Sequence, residues 1–243
     1  MYSSIANYYD FIFPVDKIKT DFIGSFLPHQ SANILDIGCS TGGFLPFLID
    51  KGHKAFGIDL NNDMILLAKN RVAEQKQKDR IAIGNMLNLD LVFVNNSFHL
   101  VYCLGNTIAH LKNIGELDLV INNIYKRLNN DGKLIFQVVN YDRFDADKES
   151  VLPLIENDVV KFEREYNWHR DDGRVSFNTK LTVKETGELF ENSEVLTPFL
   201  PDEILRRIES YGFKINDTYG DFKKSPFNSE SSFAFIVIAE KIL

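Results

Sequence analysis

From residue 34 onward the chain alternates two kinds of apolar pattern. Short runs rich in β-branched residues are followed by segments whose apolar positions recur every three or four residues. The runs predict strands over Asn33–Ile37, Lys54–Ile58, Ile81–Gly84, Leu100–Leu104 and Lys133–Val139, with helices near 43–51, 62–76 and 114–128. Strand and helix in strict alternation call for a mostly parallel sheet covered on both faces, an α/β fold of the doubly wound kind. The third helix leads into Leu128-Asn-Asn-Asp-Gly132, where Asn and Gly suit a left-handed stop and turn.

After Val139 the rhythm changes. Val159–His169, Arg174–Val183 and Glu188–Leu196 are strand-like runs separated by Asp171-Asp172-Gly173 and Glu185-Thr186-Gly187, and they predict antiparallel hairpins. Pro201-Asp-Glu opens a helix to about Tyr211, and Phe213–Tyr219 and Phe233–Glu240 are two closing strands. Residues 1–30 predict a helical cover. The expected organisation is therefore 1–30 as cover, 31–140 with 200–243 as the main α/β domain, and 141–199 as a small antiparallel β insertion serving as lid or dimer contact.

Charge narrows the partners. Thirty-four acidic residues against 27 basic give a formal charge of −7, which would repel a phosphate backbone, so no nucleic acid is expected. The densest basic stretch, Lys69 to Arg80, is interleaved with acids and amides and predicts the solvated face of a surface helix. No apolar stretch reaches the roughly 18 residues that span a bilayer, and the N-terminus lacks the pattern of a signal peptide. The expectation is a soluble cytoplasmic protein with no membrane partner, a monomer or homodimer. Cys39 and Cys103 have no metal-ligand spacing and predict packed thiols, and no Asp, Glu and His cluster suggests a metal.

The chemistry gathers at strand ends. Ile34-Leu-Asp-Ile-Gly-Cys-Ser-Thr-Gly-Gly43 is a strand entering a small-residue turn, in which Gly38 and Gly42 permit positive φ and close approach of a ligand to the backbone. Asp59 follows 21 residues after Gly38 at the end of the next strand, where a carboxylate can accept both hydroxyls of a ribose. A helix cap is the plainer role for the same residue. Together the two features favour a nucleoside ligand, which dinucleotide-dependent oxidoreductases share. Gly84-Asn85-Met86 after the third strand, the Leu128–Leu134 segment before the fifth and the closing helix and paired strands favour a sheet with an antiparallel last strand over a second mononucleotide half.

Asp36-Ile-Gly-Cys-Ser-Thr-Gly42, Asp59, Asn85-Met86, Asn130-Asp-Gly132 and Tyr211-Gly-Phe213 resemble the successive motifs of class I S-adenosylmethionine-dependent methyltransferases. The resemblance covers roughly 5–140 and 200–243. It implies a Rossmann-like, seven-stranded, mostly parallel sheet with an antiparallel last strand, and S-adenosyl-L-methionine as cofactor with S-adenosyl-L-homocysteine as product. Carried over, Asp36, Gly38, Cys39, Ser40 and Gly42 flank the methionine part, Asp59 holds the ribose, and Leu60, Met64, Asn85 and Met86 surround the adenine. Ser40 departs from the pattern, which usually has a second glycine there.

A narrower resemblance lies in Cys103-Leu-Gly-Asn-Thr-Ile-Ala-His-Leu111 and Asn140-Tyr-Asp142, which are similar to segments of glycine and sarcosine N-methyltransferases. It nominates Leu104, Gly105, Asn106 and His110 near the cofactor, and Asn140 and Tyr141 at the acceptor. The family's carboxylate-binding arginine precedes Asn-Tyr-Asp; here that position is Val139, and Arg143 is the substitute in sequence. His110 is the candidate base, with Asn106 and Tyr141 beside it, because an amine must lose its proton to attack. Cofactor contact and plain packing are alternative roles for His110. In the hairpins, Tyr166, Trp168, His169 and Arg170 form either an acceptor wall or a packing face. Ala6-Asn-Tyr8-Tyr9-Asp10 resembles the segment that covers the cofactor in related enzymes, which implies that Tyr9 closes over the methionine; hydrophobic docking of a cover helix is the alternative role. The expected activity is methyl transfer to a small-molecule acceptor with a preference for an amine nitrogen; an oxygen acceptor, a nicotinamide oxidoreductase and a non-catalytic nucleoside binder are the alternatives.

Overall fold

The computed structural model describes residues 2–144, 150–169 and 171–242. The N-terminal segment forms three short helices, α1 (Tyr2–Ile5), α2 (Tyr9–Ile12) and α3 (Lys17–Gly24), the last capped by Asp16, which accepts from Lys19 N at 2.9 Å. There follow β1 (Asn33–Ile37), α4 (Leu45–Asp50), β2 (Lys54–Asp59), α5 (Asn62–Arg71), β3 (Ile81–Ile83), β4 (Phe98–Cys103), α6 (Ile114–Arg127) and β5 (Leu128–Val139). The insertion contributes β6 (Ser150–Val151), β7 (Ile155–Glu156), β8 (Val160–Trp168), β9 (Val175–Val183) and β10 (Leu189–Leu196). The chain closes with α7 (Pro201–Ser210), β11 (Phe213–Tyr219) and β12 (Ala234–Lys241).

Seven strands form one sheet in the order β11-β12-β5-β4-β1-β2-β3, parallel except for β12, which runs antiparallel to both neighbours. Both faces are buried, which is why its strands read as nearly continuous apolar runs. Leu35, Val101 and Phe136 pack with Val120, Ile124, Ile204 and Ile208 of α6 and α7. Ile34, Leu100, Tyr102 and Ile135 pack on the other face with Phe22, Leu45, Leu48 and Ile65. The order reverses between β1 and β4, so the loops after those two strands diverge and leave a crevice at their carboxyl ends.

The insertion is a second, antiparallel sheet ordered β10-β9-β8-β6, with β7 also paired to β8. The N-terminal cover packs on this sheet: Ile5 and Ile12 are buried with Val160, Phe162 and Leu181. Cover and insertion thus form one roof over the strand ends.

Two local expectations are corrected. Helix α5 stops at Arg71 instead of continuing to 76, because beyond Val72 no large apolar side chain remains to bury before Ile81, and Lys76 turns left-handed at φ 56°. The basic stretch is therefore α-helical only to Arg71 and continues as turn and a 3-10 helix at Lys78–Arg80. After α6, Leu128 is already extended and joins β5; the left-handed residue is Asp131 at φ 59°. Gly132 serves close approach instead, since a Cβ there would lie 2.8 Å from the Asn129 carbonyl. Cys39 and Cys103 are buried free thiols. Among the described residues no helix is long and apolar enough to cross a membrane.

Candidate functional site

The turn after β1 is held by backbone: Gly38 N and Cys39 N both donate to the Ile58 carbonyl, at 2.8 and 2.9 Å. Gly38 and Gly42 each have φ 74°, and a Cβ on Gly38 would stand 2.6 Å from Thr107 Cγ2. That contact brings the loop after β4 down onto the turn. Ser40, at the position of the expected extra glycine, is itself left-handed at φ 51°. Its hydroxyl hydrogen-bonds the Tyr9 hydroxyl of the cover and lies 3.6 Å from Met64 Sδ.

Asp59 ends β2 and ties two turns together, with Oδ2 accepting from Ser40 N and Oδ1 from Asn61 N, both at 2.9 Å. The cap of α5 is Asn61, which accepts from Asp63 N and Met64 N. Asp59 therefore does not cap the helix; its carboxylate takes backbone donors from Ser40, Asn61 and Leu60. Burial raises its pKa against the pull of those backbone donors. Asp36, in β1, is 4% exposed and accepts from the Tyr102 hydroxyl at 3.1 Å. Burial pushes its pKa up to about 8. A cation beside it would offset that cost.

Beyond β4, Gly105 and Asn106 are consecutive left-handed residues at φ 71° and 68°. Gln137 of β5 accepts from Gly105 N at 2.7 Å. Asn106 accepts from Val139 N at 3.0 Å and donates to the Tyr141 hydroxyl at 2.8 Å. Nothing lies within 4 Å of where a Gly105 Cβ would be, so the peptide is open to a ligand.

These loops and the roof enclose a cavity of about 540 Å³. Of the residues the sequence nominated, Tyr9, Asp36, Gly38, Cys39, Ser40, Leu104, Gly105, Asn106 and His110 line it. The adenine group divides differently. Leu60 is 62% exposed at the end of β2, next to the exposed Ile83 of β3, whereas Met64 and Met86 are buried in the core and Asn85 caps a turn by accepting from Leu87 N. Gly42 packs against Leu45 and Ala68.

The acceptor nominations mostly fall behind the wall. Asn140 is wholly buried, donating to the Ser229 and Ser232 carbonyls at 2.8 and 2.9 Å, so it clamps the loop before β12. Tyr141 is 2% exposed and buttresses Asn106; Trp168 packs edge-on against it at 6.1 Å. Arg143 stacks on Phe144 and Phe233 and does not reach the cavity. Arg170 lies outside the described residues, and His169 bonds Ser176 at 2.7 Å. Tyr166 does line the cavity, hydrogen-bonded to Tyr141. His110 sits on the wall with its pKa lowered by burial, so it is neutral near pH 7.

Several wall residues had no signal of their own in the sequence, apart from Asp10, which lies in the segment likened to a cofactor cover. Gln137 is one polar residue inside an apolar strand. Asp10 of the cover accepts from Thr41 Oγ1 at 2.6 Å and pairs with Arg71. Lys19, Asp221, Phe233 and Arg164 also reach the cavity. A larger groove of about 780 Å³ runs across β8–β10, shares only Leu152 and Arg164 with the cavity, and contains none of the strand-end chemistry.

A family described as a methyltransferase domain matches residues 34–132. The chain is 30% identical to a glycine/sarcosine N-methyltransferase of Halorhodospira halochloris, over 93% of this chain and 81% of that protein. It is 26% identical to a glycine/sarcosine N-methyltransferase of Aphanothece halophytica, covering 90% of this chain and 80% of that one. An S-adenosylmethionine-dependent methyltransferase from Clostridium acetobutylicum shares the fold with a TM-score of 0.81 at 20% identity, over 100% of this chain and 99% of the other.

Proposed function

The chain belongs to the class I S-adenosylmethionine-dependent methyltransferases, and we propose that it methylates an amine nitrogen of a small molecule held in the cavity between the strand ends and the roof. S-Adenosylmethionine is the cofactor; when bound it supplies a methyl group already activated on a sulfonium. The residues present fit it. Asp36 is a buried carboxyl whose ionised form a cation would favour, Gly105 presents an open peptide with nothing within 4 Å of where a Cβ would be, and Asp59 is an acidic group at the end of β2 of the kind that accepts from hydroxyls.

The protein's own contribution is alignment and exclusion of water. Tyr9 and Asp10 fasten the cover over the glycine turn, closing the cavity on that side. Asn106, braced by Tyr141 and Val139, fixes the two left-handed peptides that face the cavity floor. Lys19, on the wall, is a cation suited to a carboxylate of the cofactor. His110, neutral near pH 7, is the group on the wall that can accept the proton an attacking ammonium must lose.

One observation carries the reading: a buried, cation-seeking Asp36 and the open Gly105 peptide share a cavity with a neutral histidine, under an aromatic roof. The amine preference rests on His110 and on likeness to relatives named as N-methyltransferases. The test is release of S-adenosylhomocysteine from protein and S-adenosylmethionine with a panel of primary and secondary amines, including glycine and sarcosine, and matched alcohols. Turnover of amines is expected. Turnover of alcohols alone would overturn the nitrogen assignment.

A further inference from the structure

Strand pairing sets Phe190 beside Leu181 and Phe162, and Glu194 beside Phe177 and Tyr166, so alternate residues of β10 from Phe190 to Leu196 share the inner face of the insertion sheet. Glu194 is the single acid among the residues of β8, β9 and β10 on that face. The outward residues Leu189, Glu191, Ser193 and Val195 are exposed, whereas Glu194 is half-buried. Its neighbours Tyr166, Phe177 and Leu196 line the cavity, but Glu194 does not reach it. A carboxylate turned inward among apolar side chains gives up hydration, which a donor or a positive charge must replace.

At this level β10 lies against the 3-10 turn Thr107–His110. Thr197 ties the two together: its N donates to the Ala109 carbonyl at 2.8 Å and its Oγ1 to the Leu111 carbonyl at 2.6 Å. These bonds bracket His110, three residues after Glu194 on the same strand end. His110 stands on the cavity wall, and Glu194 stands behind that wall. Burial lowers the His110 pKa; among the charges acting on it, Glu194 is the foremost in favouring the imidazolium, Asp59 acts in the same sense and the amino terminus opposes them.

Resting on the methyl-transfer reading, we propose that Glu194 is the positioning residue for His110, its carboxylate taking one ring N–H so that the lone pair of the other ring nitrogen faces the cavity. A histidine whose one N–H is held by a carboxylate is fixed in tautomer and orientation. The proton of a substrate ammonium passes to the cavity-facing nitrogen. The freed amine lone pair forms the new N–C bond as the methyl C–S bond breaks, and that bond's electron pair stays on sulfur. The imidazolium left behind faces Glu194 in partly dry surroundings, where the attraction is stronger than in water. The insertion thus supplies a roof and also directs a group on the wall below it.

The test follows the histidine ring resonances of the full chain saturated with S-adenosylhomocysteine by NMR as pH is varied, with His110 identified by its loss in His110→Gln. The wild type is expected to hold His110 in one tautomer when neutral. Glu194→Gln keeps the size of the side chain and removes its charge; it should lower the His110 midpoint by at least about half a unit and mix the tautomers. Glu194→Asp should fall between, with His29, His53, His99 and His169 unmoved in both. A merely structural Glu194 would lower the thermal midpoint and leave the His110 titration as in wild type, and that result overturns the proposal. A second measurement needs no variant at position 194: in wild type the Glu194 carboxyl carbon should show an inflection at the His110 midpoint, absent in His110→Gln. No such inflection in wild type also overturns the proposal. Failure of the wild type to bind S-adenosylhomocysteine would instead count against the methyl-transfer reading, and the same titrations of the unliganded chain would then decide the pairing by themselves.

Discussion

Thr41 Oγ1 donates to Asp10 Oδ1 at 2.6 Å, joining residues 31 positions apart and pinning the N-terminal cover to the glycine turn. Asp10 also pairs with Arg71, and neighbouring Tyr9 reaches Ser40. Asp10→Ala removes two of these fastenings at a partly exposed site, worth on the order of 1 kcal/mol together. Expected is a several-fold faster release of S-adenosylhomocysteine with the fold intact, read by stopped-flow displacement. An unchanged release rate would show that the cover does not gate the site.

Asp36 makes cofactor binding depend on pH. Its folded pKa of about 8 leaves it mostly protonated at pH 7, and a cationic ligand favours the ionised form. Affinity for S-adenosylmethionine should rise with pH up to about 8 and then level. Calorimetry at pH 7 in buffers of different ionisation enthalpy should show close to one proton released from the protein, and none in Asp36→Asn.

The same group acts on stability with the opposite sense. Between the unfolded pKa near 4 and the folded pKa of about 8, the native state binds the extra proton. The cofactor-free protein should therefore lose stability as pH rises through that window. Asp36→Asn should be more stable than wild type at pH 8 by roughly 1–3 kcal/mol while binding S-adenosylmethionine more weakly. Equal denaturation midpoints at pH 8 would refute this.

Asp59→Ala should weaken cofactor binding by at least ~1.5 kcal/mol, because ribose hydroxyls would lose their acceptor. It should also lower the unfolding midpoint, since Ser40 N and Asn61 N lose theirs. Asp59→Asn can keep the acceptor to one of those amides and should fall between. Unchanged affinity in the alanine variant would remove the ribose assignment.

Gly38 and Gly105 are both left-handed yet differ in surroundings. Alanine at 38 meets Thr107 at 2.6 Å, whereas alanine at 105 meets nothing. Gly105→Ala should cost about 1 kcal/mol of stability from backbone strain alone, and Gly38→Ala clearly more. Urea denaturation compares them directly, and equal costs would mean that the Thr107 contact is not tight.

The elements nearest the site were legible because their signals are local. The strand from Asn33 to Ile37, the turn from Gly38 to Gly43 and Asp59 follow from apolar runs, glycine spacing and distance along the chain. Asn140, Tyr141 and Arg143 lie off the cavity lining for the opposite reason. Lying just past a strand end places a residue near a site, but burial in the loop clamp and stacking on Phe233 decided where their side chains went. Gln137 and Arg164 are single polar residues in strand alternation, and alternation assigns a face without naming the layer that face will meet.

By itself, then, the sequence determined the doubly wound sheet, its antiparallel last strand and the glycine turn with its carboxylate partner, because hydrophobic period and turn chemistry act over a few residues. Only the tertiary structure decided what roofs that turn. The cover and the insertion meet through Ile5, Ile12 and Phe162, far apart in the chain, and only their packing together brings Asp10, Gln137 and Arg164 to one cavity.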